Sequence, residues 1–300
     1  MKKKSLIITL CIILTAIVIT CIFIPWNKVF KEEEPFVLTE ADLVRIDSST
    51  GASPLTIAVA SAAMNIELKE DAIKSSKTVQ AVKNVINGER DIAVVPYPSK
   101  EVLEEALKAN VELETILIAN NAFVFLVNKD NPVNNLTSEQ IKQIYSGKIT
   151  NWKEVGGEDK NILPIQRNKD SGSQTAMVDF MGNTELLTPL QNYEIGTMGE
   201  LVDAINTPFD ASSAAIGYSY YYYVSNMYIK DSIKLLSLDG IKPSKNSIID
   251  GTYPQISPYY AVIRKSSPKD SMERKLIDFI LSKKGQKAIE DTGYIGAKLK

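Results

Sequence analysis

Three hundred residues, 44% hydrophobic and 23% charged, suffice for one large globular domain or two lobes of ordinary size. A formal net charge of -2 lacks the basic footprint that neutralises many phosphates, so nucleic acid is not expected as a partner. Histidine is absent, which removes Ser-His-Asp triads, Cys-His dyads and His-based metal sites, and the two cysteines, Cys11 and Cys21, lie in one apolar run and leave the rest of the chain without a disulfide or thiolate site.

In chain order, Lys2, Lys3 and Lys4 precede a stretch from Leu6 to Pro25 that is apolar apart from scattered threonines, about the ~20 residues needed to span a bilayer. The positive-inside rule keeps the lysines in the cytoplasm, with Trp26 at the outer interface and the rest of the chain outside. Cys21 follows Val18, Ile19 and Thr20 and makes a poor lipobox, and no A-x-A-like cleavage site is visible. An uncleaved membrane anchor over 1–26 is therefore favoured over a signal segment or a lipid anchor at Cys21. A polar stalk over 27–42 follows.

Beyond it, strand-like and helix-like segments alternate: LVRID as a strand, PLTIAVASAAM and TVQAVKNVINGE as helices, DIAVVPY as a strand, SKEVLEEALKANV as a helix and AFVFLVN as a strand. This alternation predicts an α/β domain with a largely parallel sheet. A second block begins near Asn128, where Thr137 and Gln140 form a T-x-x-Q capping box for the helix SEQIKQIY, stopped by Gly147. NILPIQRN then reads as a strand, SQTAMVDFM as a helix, AAIGYSYYYYV as a strand end with an aromatic run explained by packing, and IKLLSLDG as a strand. YPQISPYYAVIRK reads as an extended connection, and one or two helices follow from Asp270.

Hydroxyl residues and glycine cluster at three helix starts: DSSTGASP at Asp47 to Pro54, KSSKT at Lys74 to Thr78, and DSGSQ at Asp170 to Gln174. A helix start leaves its first N–H groups unpaired and carries partial positive charge, so three such starts could converge on one oxyanion. Any one alone is more often an ordinary N-cap. Arg167, four residues before Ser171-Gly172-Ser173, adds a fork of donors for the same anion, against the alternative of a surface ion pair with Asp170. A nucleophilic Ser171 or Ser173 is disfavoured, since there is no G-x-S-x-G elbow and no histidine base, and Lys169 in the same turn is a weak partner for a Ser-Lys dyad. Neither an enzyme nor a cofactor is expected.

The segments AFVFLVNKDNPVNNLTSEQIKQIYSGKITNWKEVGG and IQRNKDSGSQTAM, with RIDSSTGASPL, AIGYS and DGTYPQISPYYAV in the same order, resemble the phosphate-binding proteins of bacterial ABC importers over Val44 to about Tyr294. The resemblance implies a two-lobed type II periplasmic-binding-protein fold, preceded here by the N-terminal transmembrane helix. One lobe would take 43–119 and 253–300 and the other 120–252, closing on ligand by hinge motion. It also implies that the anion contacts fall on Ser49, Thr50, Arg167, Ser171, Gly172 and Ser173, with Thr78 at the start of its helix. Where these binders commonly carry an aspartate that accepts a ligand proton and repels sulfate, this sequence has Pro96, with Asp47 and Asp91 as substitutes to consider. The expected function is an extracytoplasmic solute-binding protein for phosphate or a similar tetrahedral oxyanion, delivering it to ABC permease subunits. The alternative is a membrane-anchored sensor or interaction module that reuses the fold.

Overall fold

The computed structural model describes residues 36–189, 194–206 and 214–297, and the anchor segment 1–26 lies outside them. Among the described residues no helix is long and apolar enough to cross a membrane. Of the stalk, 36–42 are described, and Glu40–Leu43 is a short helix opened by a capping box from Thr39 and Asp42.

Strands β1 (Ile46–Ser48), β2 (Lys74–Ser75), β3 (Ile92–Pro96) and β4 (Leu113–Asn120) are joined late in the chain by β13 (Tyr259–Arg264) and β14 (Ile295–Gly296). They form one six-stranded sheet in the order β14-β4-β13-β3-β1-β2. A second, four-stranded sheet has the order β11-β5-β10-β7, from β5 (Phe123–Asn128), β7 (Ile162–Pro164), β10 (Ala214–Tyr220) and β11 (Ile233–Leu235). Two small pairs complete the strands: β6 (Asn135–Leu136) with β12 (Ser237–Leu238), and β8 (Gln166–Arg167) with β9 (Glu194–Ile195). Every residue of β1, β3 and β5 is buried, as expected of strands covered on both faces.

The result is a mixed α/β molecule of two lobes, each built around one of the large sheets. The chain crosses between them after β4 and again before β13, and the crossings run side by side: Phe123 N–H donates to Gln255 O at 2.9 Å and Ser257 N–H to Asn121 O at 2.8 Å. Such a paired crossing is where a hinge would lie.

Four expectations are corrected. The sheets are mixed rather than largely parallel: β1 runs parallel to β2 and β3, but β13 is antiparallel to both its neighbours and β5 to both of its own. The stretch from Tyr259 is a central strand, not a connection, because the prolines that break the pattern, Pro254 and Pro258, both precede it. LVRID is extended only from Ile46, its leucine ending the short helix. NILPIQRN is two strands in two sheets, Ile162–Pro164 at the edge of the four-stranded sheet and Gln166–Arg167 paired with β9. Leu113–Asn120 and the helix Met198–Asn206 are elements the sequence reading did not contain.

Asp91 ties three strands of the first lobe. It accepts a fork from Arg45 (2.8 and 2.7 Å) and a third bond from Arg264 (2.5 Å), and the Arg45 hydrogen bond leads in holding its carboxyl below the ordinary 3.8. A carboxylate depressed on folding contributes stability above its unfolded pKa and loses it as pH falls through the folded one. Asp91→Asn is thus expected to cost roughly 1–2 kcal/mol in urea unfolding near neutral pH. The difference from the parent should shrink below about pH 4. An equal penalty at all pH values would mean that the ion pairs do not matter.

Candidate functional site

The three hydroxyl-rich turns meet. Ser49, Thr50, Thr78, Arg167, Ser171, Gly172 and Ser173 all line one cavity of about 200 Å³, together with Gly51, Lys77, Gly196, Thr197, Met198, Gly199, Tyr220 and Tyr223. That is smaller than the roughly 300–1,000 Å³ of drug-sized sites and suits a small ligand.

From the first lobe, β1 runs directly into a 3-10 turn at Thr50–Ala52 and the helix Ser53–Met64. Its carbonyl at Gly51 accepts from Tyr259 Oη (2.8 Å) and Tyr294 Oη (2.7 Å), and a β-carbon at 51 would come within 2.9 Å of the Tyr259 hydroxyl. Glycine is therefore required by packing. The Ser49 hydroxyl is buried and has no hydrogen-bond partner among the described residues. An orphaned hydroxyl on a cavity wall marks a place for a polar ligand atom, because leaving it unpaired costs about 1–3 kcal/mol.

Lys77 and Thr78 open the helix Thr78–Ile86. Asp47 supports this turn from beneath, accepting from Ser76 N–H (3.0 Å) and Asn84 Nδ2 (2.7 Å) as well as Ser48 N–H (2.8 Å). Asp47 and Asp91 are both committed to internal partners and neither lines the cavity.

From the second lobe, Arg167 ends β8 and is 5% exposed. Its Nε donates to Ile195 O at 3.2 Å, one terminal nitrogen to Gly196 O at 3.2 Å and the other to Ser173 Oγ at 3.3 Å. These partners are neutral, so the expected rival, an ion pair with Asp170, is not what holds it. Burial pulls its pKa below the usual guanidinium range, a desolvation cost that a bound anion would offset. Its backbone N–H donates to Tyr218 Oη (2.9 Å) and Gln174 Oε1 (3.1 Å), and Tyr218 in turn donates to Gln174. Burial raises the Tyr218 and Tyr220 hydroxyls, leaving them neutral donors.

Ser171 caps the helix Gly172–Met181, its Oγ 2.9 Å from Ser173 Oγ, and Ser173 is fully buried. Gly172 and Ser173, the first two residues of this helix, both line the cavity, and the N–H groups of a helix's first turn have no intrahelical acceptor of their own. Gly172 is where the lobes touch: a β-carbon there would overlap Thr78 Oγ1 and lie 3.2 Å from both Thr78 Cβ and Pro96 Cγ. Pro96 thus sits beside the site, and no carboxylate lines the cavity among the described residues. Lys169 and Asp170 line a separate groove behind the helix.

Sequence reasoning missed the fourth wall. Gly196, Thr197, Met198 and Gly199 begin the helix Met198–Asn206, with Thr197 N–H donating to Glu200 Oε2 (2.9 Å) and Glu200 N–H to Thr197 Oγ1 (3.2 Å). The T-x-x-E spacing ahead of an apolar run was the available signal. Tyr220 and Tyr223, part of the aromatic run that packing explains, also line the cavity, and Tyr220 Oη donates to Gly172 O at 2.8 Å, fixing the helix start.

Two α/β lobes enclosing a polar cleft at converging helix starts define a ligand-binding protein of the periplasmic-binding-protein class. Residues 38–284 match the profile described as a PBP superfamily domain, and the chain belongs to that superfamily. It is 28% identical over 207 residues to the phosphate-binding protein PstS of Borreliella burgdorferi, covering 67% of this chain and 70% of that one. To the phosphate-binding protein PstS of Staphylococcus aureus it is 29% identical over 220 residues, covering 71% of this chain and 65% of the relative, a little under two thirds. Among solved structures, a substrate-binding protein assigned to phosphate ABC transport in Clostridium perfringens, with phosphate bound, superposes at a TM-score of 0.68 with 28% identity, covering 84% of this chain and 98% of that one. An ABC-type phosphate transport receptor of Vibrio cholerae shares the fold at a TM-score of 0.64 and 23% identity, with 84% and 99% covered.

Proposed function

We propose that this chain is an extracytoplasmic solute-binding protein that holds phosphate, or a similar tetrahedral oxyanion, between its lobes and delivers it to the permease of an ABC importer. The observation that carries the reading is the meeting of a buried, carboxylate-free Arg167 with three hydroxyl-bearing helix starts around one small cavity. Ser49, Thr50 and Thr78 would contact the anion from one lobe, and Arg167, Ser171, Gly172 and Ser173 from the other. The lobes are taken as 43–119 with 253–300, and 120–252. The names and bound ligand of the relatives support phosphate as the oxyanion. The segment 1–26 would tether the domain at the outer face of the cell membrane, within reach of permease subunits.

The test is a thermal-shift titration of the soluble part, from about Glu34 onward, with phosphate. At a hundredfold excess over the dissociation constant, ligand should add about 2.7 kcal/mol. For a domain of this size that raises the melting temperature by roughly 5–10 °C. No shift with phosphate, sulfate or arsenate would sink the proposal.

A further inference from the structure

Lys77 is a wall of the cavity that no relative's name and no sequence motif assigns. Its backbone lies at φ 66°, ψ 168°, a region close to exclusive to glycine, where any other residue is strained. Such a conformation persists where its surroundings over-determine it: Ser76 N–H is held by Ser48 O (3.1 Å) and by the buried Asp47 (3.0 Å), and Thr78 begins a helix packed in the first lobe's core. The side chain so displayed reaches across the cleft. Its Nζ lies 3.5 Å from Gly196 O, the same carbonyl that accepts from Arg167 at 3.2 Å.

Two cations from opposite lobes therefore converge on one neutral oxygen. Around them are hydroxyls, helix starts and tyrosines, and Glu200, the acid in the adjoining turn, is engaged by Thr197 N–H. A carbonyl carries only partial negative charge, and the one carboxylate beside this turn among the described residues is Glu200, so the two cations together exceed the negative charge around them. We infer that Lys77 is the second cation of the anion site, that it acts from the lobe opposite Arg167, and that it strengthens the hold on a tetrahedral oxyanion, sulfate included. Bridging by the ligand would then draw the lobes together electrostatically. This rests on the anion-binding reading above but not on phosphate being the anion.

The test uses the soluble part titrated calorimetrically with phosphate and with sulfate, at low and high salt. Because Lys77 is exposed, its contribution is moderate and screened by salt. Lys77→Met should weaken both anions about fivefold at low salt and less at high salt. Lys77→Arg should recover most of the loss. Lys77→Gly removes charge and backbone strain together, so it should bind as weakly as the methionine variant while melting about 2–4 °C higher than the parent without ligand. Methionine and glycine variants that bind both anions as the parent does would overturn the inference. If the parent binds sulfate but not phosphate and the methionine variant is weaker, the role of Lys77 stands while phosphate as ligand falls. If the parent binds neither anion, both fall.

Discussion

Arg167→Ala is expected to erase the phosphate-induced thermal shift and to weaken binding more than 100-fold by calorimetry, while the unliganded protein melts within a few degrees of the parent. The asymmetry follows from its surroundings. Arg167 is buried among carbonyls and one hydroxyl, so the free protein carries its desolvation cost without an ion pair to repay it. Truncating one partner of a buried, hydrogen-bonded charge pair typically costs 2–5 kcal/mol, which here is felt only when the anion is present. Arg167→Lys should fall between, because an ammonium restores charge but not the fork that spans Ser173 and Gly196. Retained binding in the alanine variant would make the arginine a structural brace of the 195–196 turn and would remove the main support for an anion site.

The second large effect is at Gly172. One methyl group there meets Thr78 Oγ1, Thr78 Cβ and Pro96 Cγ, atoms of the opposite lobe, and rotation of the threonine relieves only the first. Overpacking of this kind costs about 1–3 kcal/mol, and it falls on the closed arrangement of the lobes, not on either lobe's core. Gly172→Ala should therefore keep its circular dichroism and melting temperature but bind phosphate about 10- to 100-fold more weakly. Small-angle scattering should show less ligand-induced compaction than in the parent. Parent-like affinity would mean that the approach of Thr78 to Gly172 is incidental to binding. Pairing this variant with Thr78→Ala tests the contact directly, since alanine removes the hydroxyl that the added methyl group would overlap, and the two substitutions should then be less than additive in affinity.

What was legible in the sequence was local. The T-x-x-Q box at Thr137 and the Ser171 cap announced helices that begin at Ser138 and Gly172. The hydroxyl-rich turns announced donors. Strand direction was not legible, because whether β13 runs with or against β3 is decided by a return of the chain from the second lobe some 160 residues later, not by any local pattern. The convergence of the turns was inferred from likeness and charge logic, since nothing in DSSTGASP itself points at DSGSQ. Lys77 was hidden for a different reason: its positive φ is imposed by Asp47 and the helix that follows, and a lysine in a polar turn carries no sign of it. Gly196 to Gly199 do carry a sign, the T-x-x-E spacing of Thr197 and Glu200.

The carbonyl of Gly51 draws its two tyrosine bonds from 208 and 243 residues downstream. A chain emerging from its amino end therefore carries the first wall of the cleft well before the clamps that shape it, Tyr259 and Tyr294. The shape of this wall thus depends on contacts that are among the most distant in sequence. An incomplete chain, or one still threading through a membrane, would carry every residue of the Ser49 turn and still be unable to hold a ligand.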